Sequence, residues 1–86
     1  MTGFLVADCA AAIQNMLLAA HGLGLGAVWC GLYPVTQLTQ AVKDICTLPQ
    51  HILPVGLVAV GHKKEGKEPA DRFNPARLHR DKWGQP

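Results

Sequence analysis

The stretch that decides the fold has the sequence DCAAAIQNMLLAAH and runs from Asp8 to His21. Alanine, glutamine, methionine and leucine dominate it, and all of them favour helices. Asp8 is the predicted N-cap, because its carboxylate can accept hydrogen bonds from the free N–H groups of the first turn. Gly22 or Gly24 is the predicted end. We therefore predict a helix over residues 8–21.

This predicted helix is apolar around almost its whole circumference. One side carries Ile13 and Leu17, and the opposite side carries Ala12 and Leu18. Such a helix is normally buried on all sides, yet a chain this short buries only about 60–65% of its unfolded surface. A content of 49% hydrophobic and 16% charged residues also excludes a disordered tail. We infer one small domain that is a subunit of an obligate oligomer or a portion of a larger domain.

Two strands and a second helix are predicted to follow. Residues 25–30 and 55–60 are apolar runs typical of buried strands. Between them, a turn over residues 31–34 precedes a helix that starts at Pro34, has a polar face and closes at Pro49. Because this connection is long enough for a helical crossover, we predict that the two strands pair in parallel.

The composition changes after Gly61. Seven of the eight Lys and Arg residues and four of the six acidic residues lie beyond it. We predict a charged loop at 62–71 and an extended arm at 72–86. The arm has no helical or strand periodicity, so we expect it to dock on other protein through three isolated apolar residues, Phe73, Leu78 and Trp83.

Charge and length argue against several functions. A net charge of +2 is too small to imply a nucleic acid or an anionic membrane as partner. The apolar stretch from Cys9 to Ala20 is interrupted by Gln14 and Asn15 and is too short to span a bilayer. No targeting segment is recognisable. These features predict a cytoplasmic protein.

The chemistry-bearing residues form no familiar catalytic set. The histidines lack metal-ligand spacing to one another, to cysteine or to a carboxylate, so no metal site is predicted. Gly22-x-Gly24-x-x-Ala27 matches a loose dinucleotide fingerprint, but here the helix precedes the glycines instead of following them, and we interpret them as a turn. No catalytic acid or base is predicted. The three cysteines have no CxxC spacing and are expected to be reduced, buried thiols: Cys9, Cys30 and Cys46.

The run from Asp8 to Pro34 resembles the FMN-dependent nitroreductase family, as do PVGLVAVG at 54–61, DRF at 71–73 and HRDKW at 79–83. The resemblance implies an α+β, nitroreductase-like partial domain with a buried apolar helix, a strand-helix-strand unit and an extended C-terminal arm. It makes residues 1–86 the C-terminal portion of a flavin-binding domain, with 61–86 as polar loop and arm. Members of the family are homodimers that bind FMN between subunits.

The resemblance also implies a partial FMN site. Val28, Trp29, Cys30 and Gly31 match the segment whose backbone lies along the flavin ring and directs an N–H toward N5, and Gly31 would allow close approach. Arg72 matches the arginine that grips the FMN phosphate. NAD(P)H would be the co-substrate, passing a hydride to flavin N5 in a ping-pong reaction that then reduces a nitroaromatic or quinone-like small-molecule acceptor.

The chain departs from the family pattern at two places. The lysine that usually stands two residues before the arginine is Ala70 here, and Lys67 is the nearest substitute. The family's N-terminal motif, rich in Arg and Ser, has no match, so the flavin site would need a missing N-terminal half or another subunit.

Other interpretations stay open. The chain could be a non-enzymatic remnant or self-association module that lacks a complete flavin site. It could also be a small nucleotide-binding protein that uses Lys63, Lys64 and Arg72. Trp29 and Cys30 would then be core residues, and Arg72 a surface residue paired with a neighbouring acid, Asp71 or Glu68.

Overall fold

The computed structural model describes residues 2–64, 66 and 69–86. Its elements are, in chain order, helix α1 (Thr2–Gly22), strand β1 (Leu25–Gly31), helix α2 (Thr36–Cys46) and strand β2 (Gly56–His62). A single 3-10 turn at Pro75–Arg77 lies within the arm. Every predicted helix and strand is therefore present, although their ends differ from the predicted ones.

Helix α1 begins six residues before the predicted start. Asp8 lies inside the helix, so the prediction that it is the N-cap was wrong. Residues 4–7 continue the apolar run without a proline, and an established helix extends readily through such residues. The predicted end is confirmed: the N–H of Gly24 donates to the carbonyl of His21 at 3.0 Å, and Gly24 has a φ of 78°. This left-handed conformation favours glycine.

The residues that α1 has before Asp8 change the expectation about whether the apolar stretch is long enough to span a bilayer. The segment Gly3–Gly22 is 20 residues long with a mean hydropathy of 1.5, enough by length and composition to cross a membrane. The prediction of a stretch too short to span a bilayer was therefore wrong. One such helix is weak evidence for a membrane, because the core helices of soluble proteins share these properties. Ile13 and Ala20, on the side that faces the strands, are buried.

The two strands form an antiparallel pair, so the prediction of parallel pairing was wrong. Trp29 pairs with Val58, and Gly31 pairs with Gly56. A long connection permits a parallel crossover but does not require one. Among the described elements α2 packs against neither α1 nor the strands, so it is not the covering helix of a crossover unit. Helix α1 is the described helix that packs against the two strands.

Helix α2 begins after a turn and ends where the sequence predicts. The N–H of Val35 donates to the carbonyl of Leu32 at 2.8 Å, and the helix starts at Thr36, two residues later than predicted. At the other end Thr47 has a φ of 54°, and its N–H donates to the carbonyl of Lys43. Pro49 follows, as expected for a residue that cannot continue a helix.

The described residues leave an unusually large surface exposed. The accessible area is 7527 Å², against about 4,900 Å² for a compact monomer of 9.2 kDa. The radius of gyration is 17.0 Å, where about 12 Å is typical of a compact chain of this length. The burial expected for the apolar helix is therefore not supplied by this chain: Phe4, Met16 and Leu18 are all more than half exposed.

Candidate functional site

The two faces of the sheet have different surroundings. Partners across an antiparallel pair point to the same face, and α1 covers the face that carries Trp29, Val58 and Gly56. The opposite face carries Val28 and Leu57, which are 56% and 44% exposed, together with two smaller residues, Cys30 and Ala59. The segment predicted to contact a flavin thus has one side chain held against α1 and two on an open face.

The strand register decides which backbone groups of β1 are free. The N–H of Leu32 donates to the carbonyl of Val55 at 3.2 Å, just beyond the last strand pair. Because antiparallel hydrogen bonding alternates from one residue to the next, Val28 and Cys30 bond toward β2, whereas Trp29 and Gly31 direct their N–H and C=O groups to the outer edge of β1. The outer edge has no partner strand among the described residues.

Gly31 combines an outward N–H with open space. A methyl group built on Gly31 would meet no described atom within 4 Å. The next residue, Leu32, is only 6% exposed, and Val55 opposite it is 9% exposed. The N–H groups of Leu32 and Tyr33 both donate to the Val55 carbonyl, each at 3.2 Å. Gly31 therefore has an N–H directed to an edge without a described partner strand, open space on the face where a side chain would lie, and a firmly held residue beside it.

Arg72 lies in the arm, outside the helices and strands. It is exposed and sits in the arm before the 3-10 turn, and the described residues contain no hydrogen bond or ion pair to its guanidinium. The Asp71 carboxylate instead accepts a hydrogen bond from the N–H of Phe73 at 3.1 Å. The other residues considered as partners or substitutes, Lys67 and Glu68, lie outside the described residues. Residues 28–31 are thus consecutive in β1, and no described hydrogen bond or ion pair connects Arg72 to them.

The cysteines differ from the prediction. All three are free, but only Cys9 is partly buried, and Cys30 and Cys46 are exposed. The prediction of buried thiols was therefore wrong for these two, because the chain lacks the mass to cover the open face of the sheet or the outside of α2. Among the described residues, no group of three or more His, Cys, Asp or Glu side chains is arranged to hold a metal ion.

Lys63, the first residue after β2, borders a groove of about 450 Å³ between the end of α1 and β1. Its lining includes Leu17, His21 and Lys63. The stem of Lys63 lies over Gly26, so that a methyl group built on that glycine would be 3.2 Å from Cγ of Lys63. This packing uses the aliphatic part of one of the lysines considered for nucleotide binding.

The end of the arm contains a feature that the sequence analysis missed. The rings of His79 and Trp83 stack with centroids 4.1 Å apart and an angle of 24° between planes. Nδ1 of His79 accepts a hydrogen bond from the N–H of Gly84 at 2.8 Å, and the N–H of Arg80 donates to the carbonyl of Gln85 at 2.7 Å. The i, i+4 spacing of His and Trp was the available signal. Phe73 and Trp83 remain 70% and 90% exposed.

Comparison with known proteins shows which family this fold belongs to. The model of the nitroreductase family matches residues 2–62. The chain belongs to the nitroreductase family. The α+β fold implied by the resemblance is confirmed by a crystal structure from Parabacteroides distasonis, provisionally named NADH dehydrogenase/NAD(P)H nitroreductase, with a TM-score of 0.87 and 38% identity over 91% of this chain and 46% of that one.

Two curated nitroreductase-family relatives extend the comparison. A Methanothermobacter thermautotrophicus protein, provisionally named NADH dehydrogenase/NAD(P)H nitroreductase, is 43% identical over 94% of this chain and 42% of its own length. A Bacillus subtilis protein named FMN reductase (NADPH) is 38% identical over 72% of this chain and 25% of its own length. The chain thus spans less than half the length of these relatives.

Proposed function

We propose that residues 1–86 are the C-terminal portion of a flavin-dependent NAD(P)H oxidoreductase, with 61–86 as its polar loop and arm. Membership of the nitroreductase family supports an oxidoreductase. The name of the Bacillus subtilis relative, FMN reductase (NADPH), supports FMN and a nicotinamide co-substrate. The free cysteines suit a reducing compartment, so we place the protein in the cytoplasm.

The outward N–H of Gly31 is the observation that carries this proposal. It stands at an edge without a partner strand among the described residues, with open space where a side chain would be. A planar ring can approach such a glycine closely enough to accept its N–H. Val28, Trp29 and Cys30 are the residues whose backbone would lie along the same ring.

Arg72 would hold the phosphate end of the cofactor. A guanidinium suits a phosphate because it offers a planar set of charge-assisted donors. Arg72 belongs to an arm with exposed apolar residues, Phe73 and Trp83. Docking of this arm on neighbouring protein would bury them and fix the position of Arg72.

FMN, when bound, supplies hydride transfer at N5 between NAD(P)H and a nitroaromatic or quinone-like acceptor. The residues of this chain contribute orientation and charge: Gly31 donates at the ring, and Arg72 neutralises the phosphate. A backbone donor keeps its hydrogen at every pH compatible with folding, so this contact needs no titrating side chain.

The site would be completed by further protein, either a missing N-terminal half or a second copy in a homodimer. The accessible area exceeds that of a compact monomer by about 2,600 Å². Obligate interfaces bury roughly 2,000–5,000 Å² in total. Two copies together would have about 5,200 Å² of excess area, which is at the upper end of this range.

Titration of FMN into the completed protein, either the oligomer of this chain or this chain joined to the N-terminal half, tests the proposal by flavin fluorescence. Saturable binding is expected, and Arg72→Gln should raise the Kd about 10-fold or more, because a charge-assisted bond to phosphate contributes about 1.5–3 kcal/mol. Arg77→Gln, in the same arm, is the matched control and should change the Kd less than about twofold.

The second candidate is a non-enzymatic self-association module of the same fold. The large exposed apolar surface and the extended shape of the chain favour it. A chain that forms a stable oligomer by analytical ultracentrifugation but gives no saturable FMN signal would overturn the flavin proposal in favour of this one.

A further inference from the structure

A side-chain contact behind β1 has no assigned role. A methyl group built on Gly56 would lie 2.7 Å from Nε1 of Trp29 and 2.8 Å from Cδ1 of Ile13. Both distances are shorter than the closest approach of a non-bonded carbon atom. The indole and the end of Ile13 therefore lie directly over the glycine. We name this set, formed by Ile13, Trp29 and Gly56, the indole seat.

The glycine of the indole seat lowers the stability of its strand. Glycine within a strand loses about 0.5–1 kcal/mol relative to alanine, because it orders a more flexible backbone and offers no side chain to pack. Trp29 lies against both Gly56 and Ile13 and is 38% exposed. More than half of the Trp29 surface is covered, which outweighs the cost of the glycine, and the contact also fixes the indole against β2.

Gly31 has no side chain of its own to fix its position. Even a methyl group built on Gly31 would meet no described atom within 4 Å. Its position is set by nearby residues of the same strand, and Cys30, which bonds toward β2, is one of them. Leu32, on one side, is buried and hydrogen-bonded to Val55, and Trp29, two residues earlier, is held by the indole seat.

We propose that Trp29 is a positioning residue whose indole, seated on Gly56 and Ile13, fixes the Gly31 N–H in the place from which it donates to FMN. The inference rests on the proposed flavin function. Trp29 acts from the face of the sheet covered by α1, while Gly31 donates at the edge of β1. Small displacements matter at such a contact, because a misplacement of 1 Å can cost about 100-fold in rate.

Amide hydrogen exchange of the completed protein, followed residue by residue by NMR with and without saturating FMN, tests the proposal. In the wild-type protein FMN should slow exchange of the Gly31 N–H at least about 10-fold. In Trp29→Phe and in Gly56→Ala, at FMN concentrations that saturate each variant, this protection should fall below about threefold. The N–H of Cys30, which bonds toward β2, serves as the internal reference.

Two matched controls separate positioning from general loss of structure. Gly61→Ala makes the same substitution in the same strand, where a methyl group meets no described atom within 4 Å. Trp83→Phe makes the same change at a tryptophan that is 90% exposed. Both should keep the wild-type protection of Gly31. A purely structural role for Trp29 would accelerate exchange of Cys30 and Gly31 alike in both states and leave the effect of FMN unchanged.

The outcomes are distinguishable. Loss of FMN protection at Gly31 with bound FMN retained supports the proposal. Unchanged protection in both variants overturns it and leaves the flavin function standing. Absence of FMN binding by the completed wild-type protein overturns both. A double-mutant cycle between Trp29→Phe and Gly56→Ala checks the seat itself, because removing Nε1 should make the added methyl less disruptive.

Discussion

Gly31 and Gly56 face each other across the sheet and have opposite surroundings. A methyl group on Gly56 would collide with Trp29 and Ile13, whereas one on Gly31 would meet only open space among the described residues. Gly56 therefore makes room for internal packing. Gly31, its partner in the sheet, has an N–H that points to the outer edge of β1. The two glycines lie on the same face of the sheet, so the described packing under α1 reaches Gly56 but does not extend across the pair to Gly31.

The largest expected effect is on the packing under α1. Ile13→Ala should lower the free energy of unfolding by about 2–4 kcal/mol, since Ile13 is among the few buried residues and truncation leaves a cavity. Ile45→Ala, at a position 82% exposed on α2, should cost less than about 0.5 kcal/mol. Urea unfolding of both variants at one protein concentration measures this. Equal losses would contradict the contrast and mean that the outside of α2 is buried in an assembly.

Adding a methyl group to either glycine, in two separate variants, gives the next largest effects. Gly56→Ala should cost about 1–3 kcal/mol through overpacking against the indole, whereas Gly31→Ala should leave stability within about 0.5 kcal/mol. Gly31→Ala should instead raise the Kd for FMN about 10-fold by blocking approach to the backbone. Urea unfolding and FMN titration on the same samples separate the two. Strong destabilisation by Gly31→Ala would contradict the open space at that position.

The smallest expected effect is in the arm. His79→Ala removes the ring that stacks on Trp83 and accepts from the Gly84 N–H, interactions worth about 0.5–1.5 kcal/mol locally. The fluorescence lifetime of Trp83 should change, measured in a Trp29→Phe background so that one tryptophan remains. His51→Ala, at an exposed position outside the arm, is the control. An unchanged lifetime would mean that the stack does not persist in solution.

Much of the fold could be predicted because local preferences and tertiary packing agree. The alanine- and leucine-rich stretch forms α1, Gly24 ends it with a positive φ, and both strands lie within one or two residues of their predicted positions. The start of α1 could not be predicted from Asp8, because an aspartate is compatible with both a cap and a helix interior. The strand direction was wrong because a connection length sets what is possible and not what occurs.

The candidate site was only partly accessible to sequence reasoning. The segment from Val28 to Gly31 could be chosen from its resemblance to the family. That resemblance did not show which of the four N–H groups points to the outer edge of β1. The register separates them, since Trp29 and Gly31 direct their backbone outward and Val28 and Cys30 do not. Gly56 offered no sequence signal, because its importance comes from Trp29 and Ile13, which are 27 and 43 residues away along the chain.

The sequence by itself determined the helices and strands, the family, and the excess of apolar residues over what so short a chain can bury. These properties follow from composition and from patterns among near neighbours. Only the tertiary structure decided the antiparallel direction of β2, the outward N–H of Gly31 and the steric need for glycine at position 56. Each of these depends on contacts between residues distant in sequence, whose geometry no local pattern encodes.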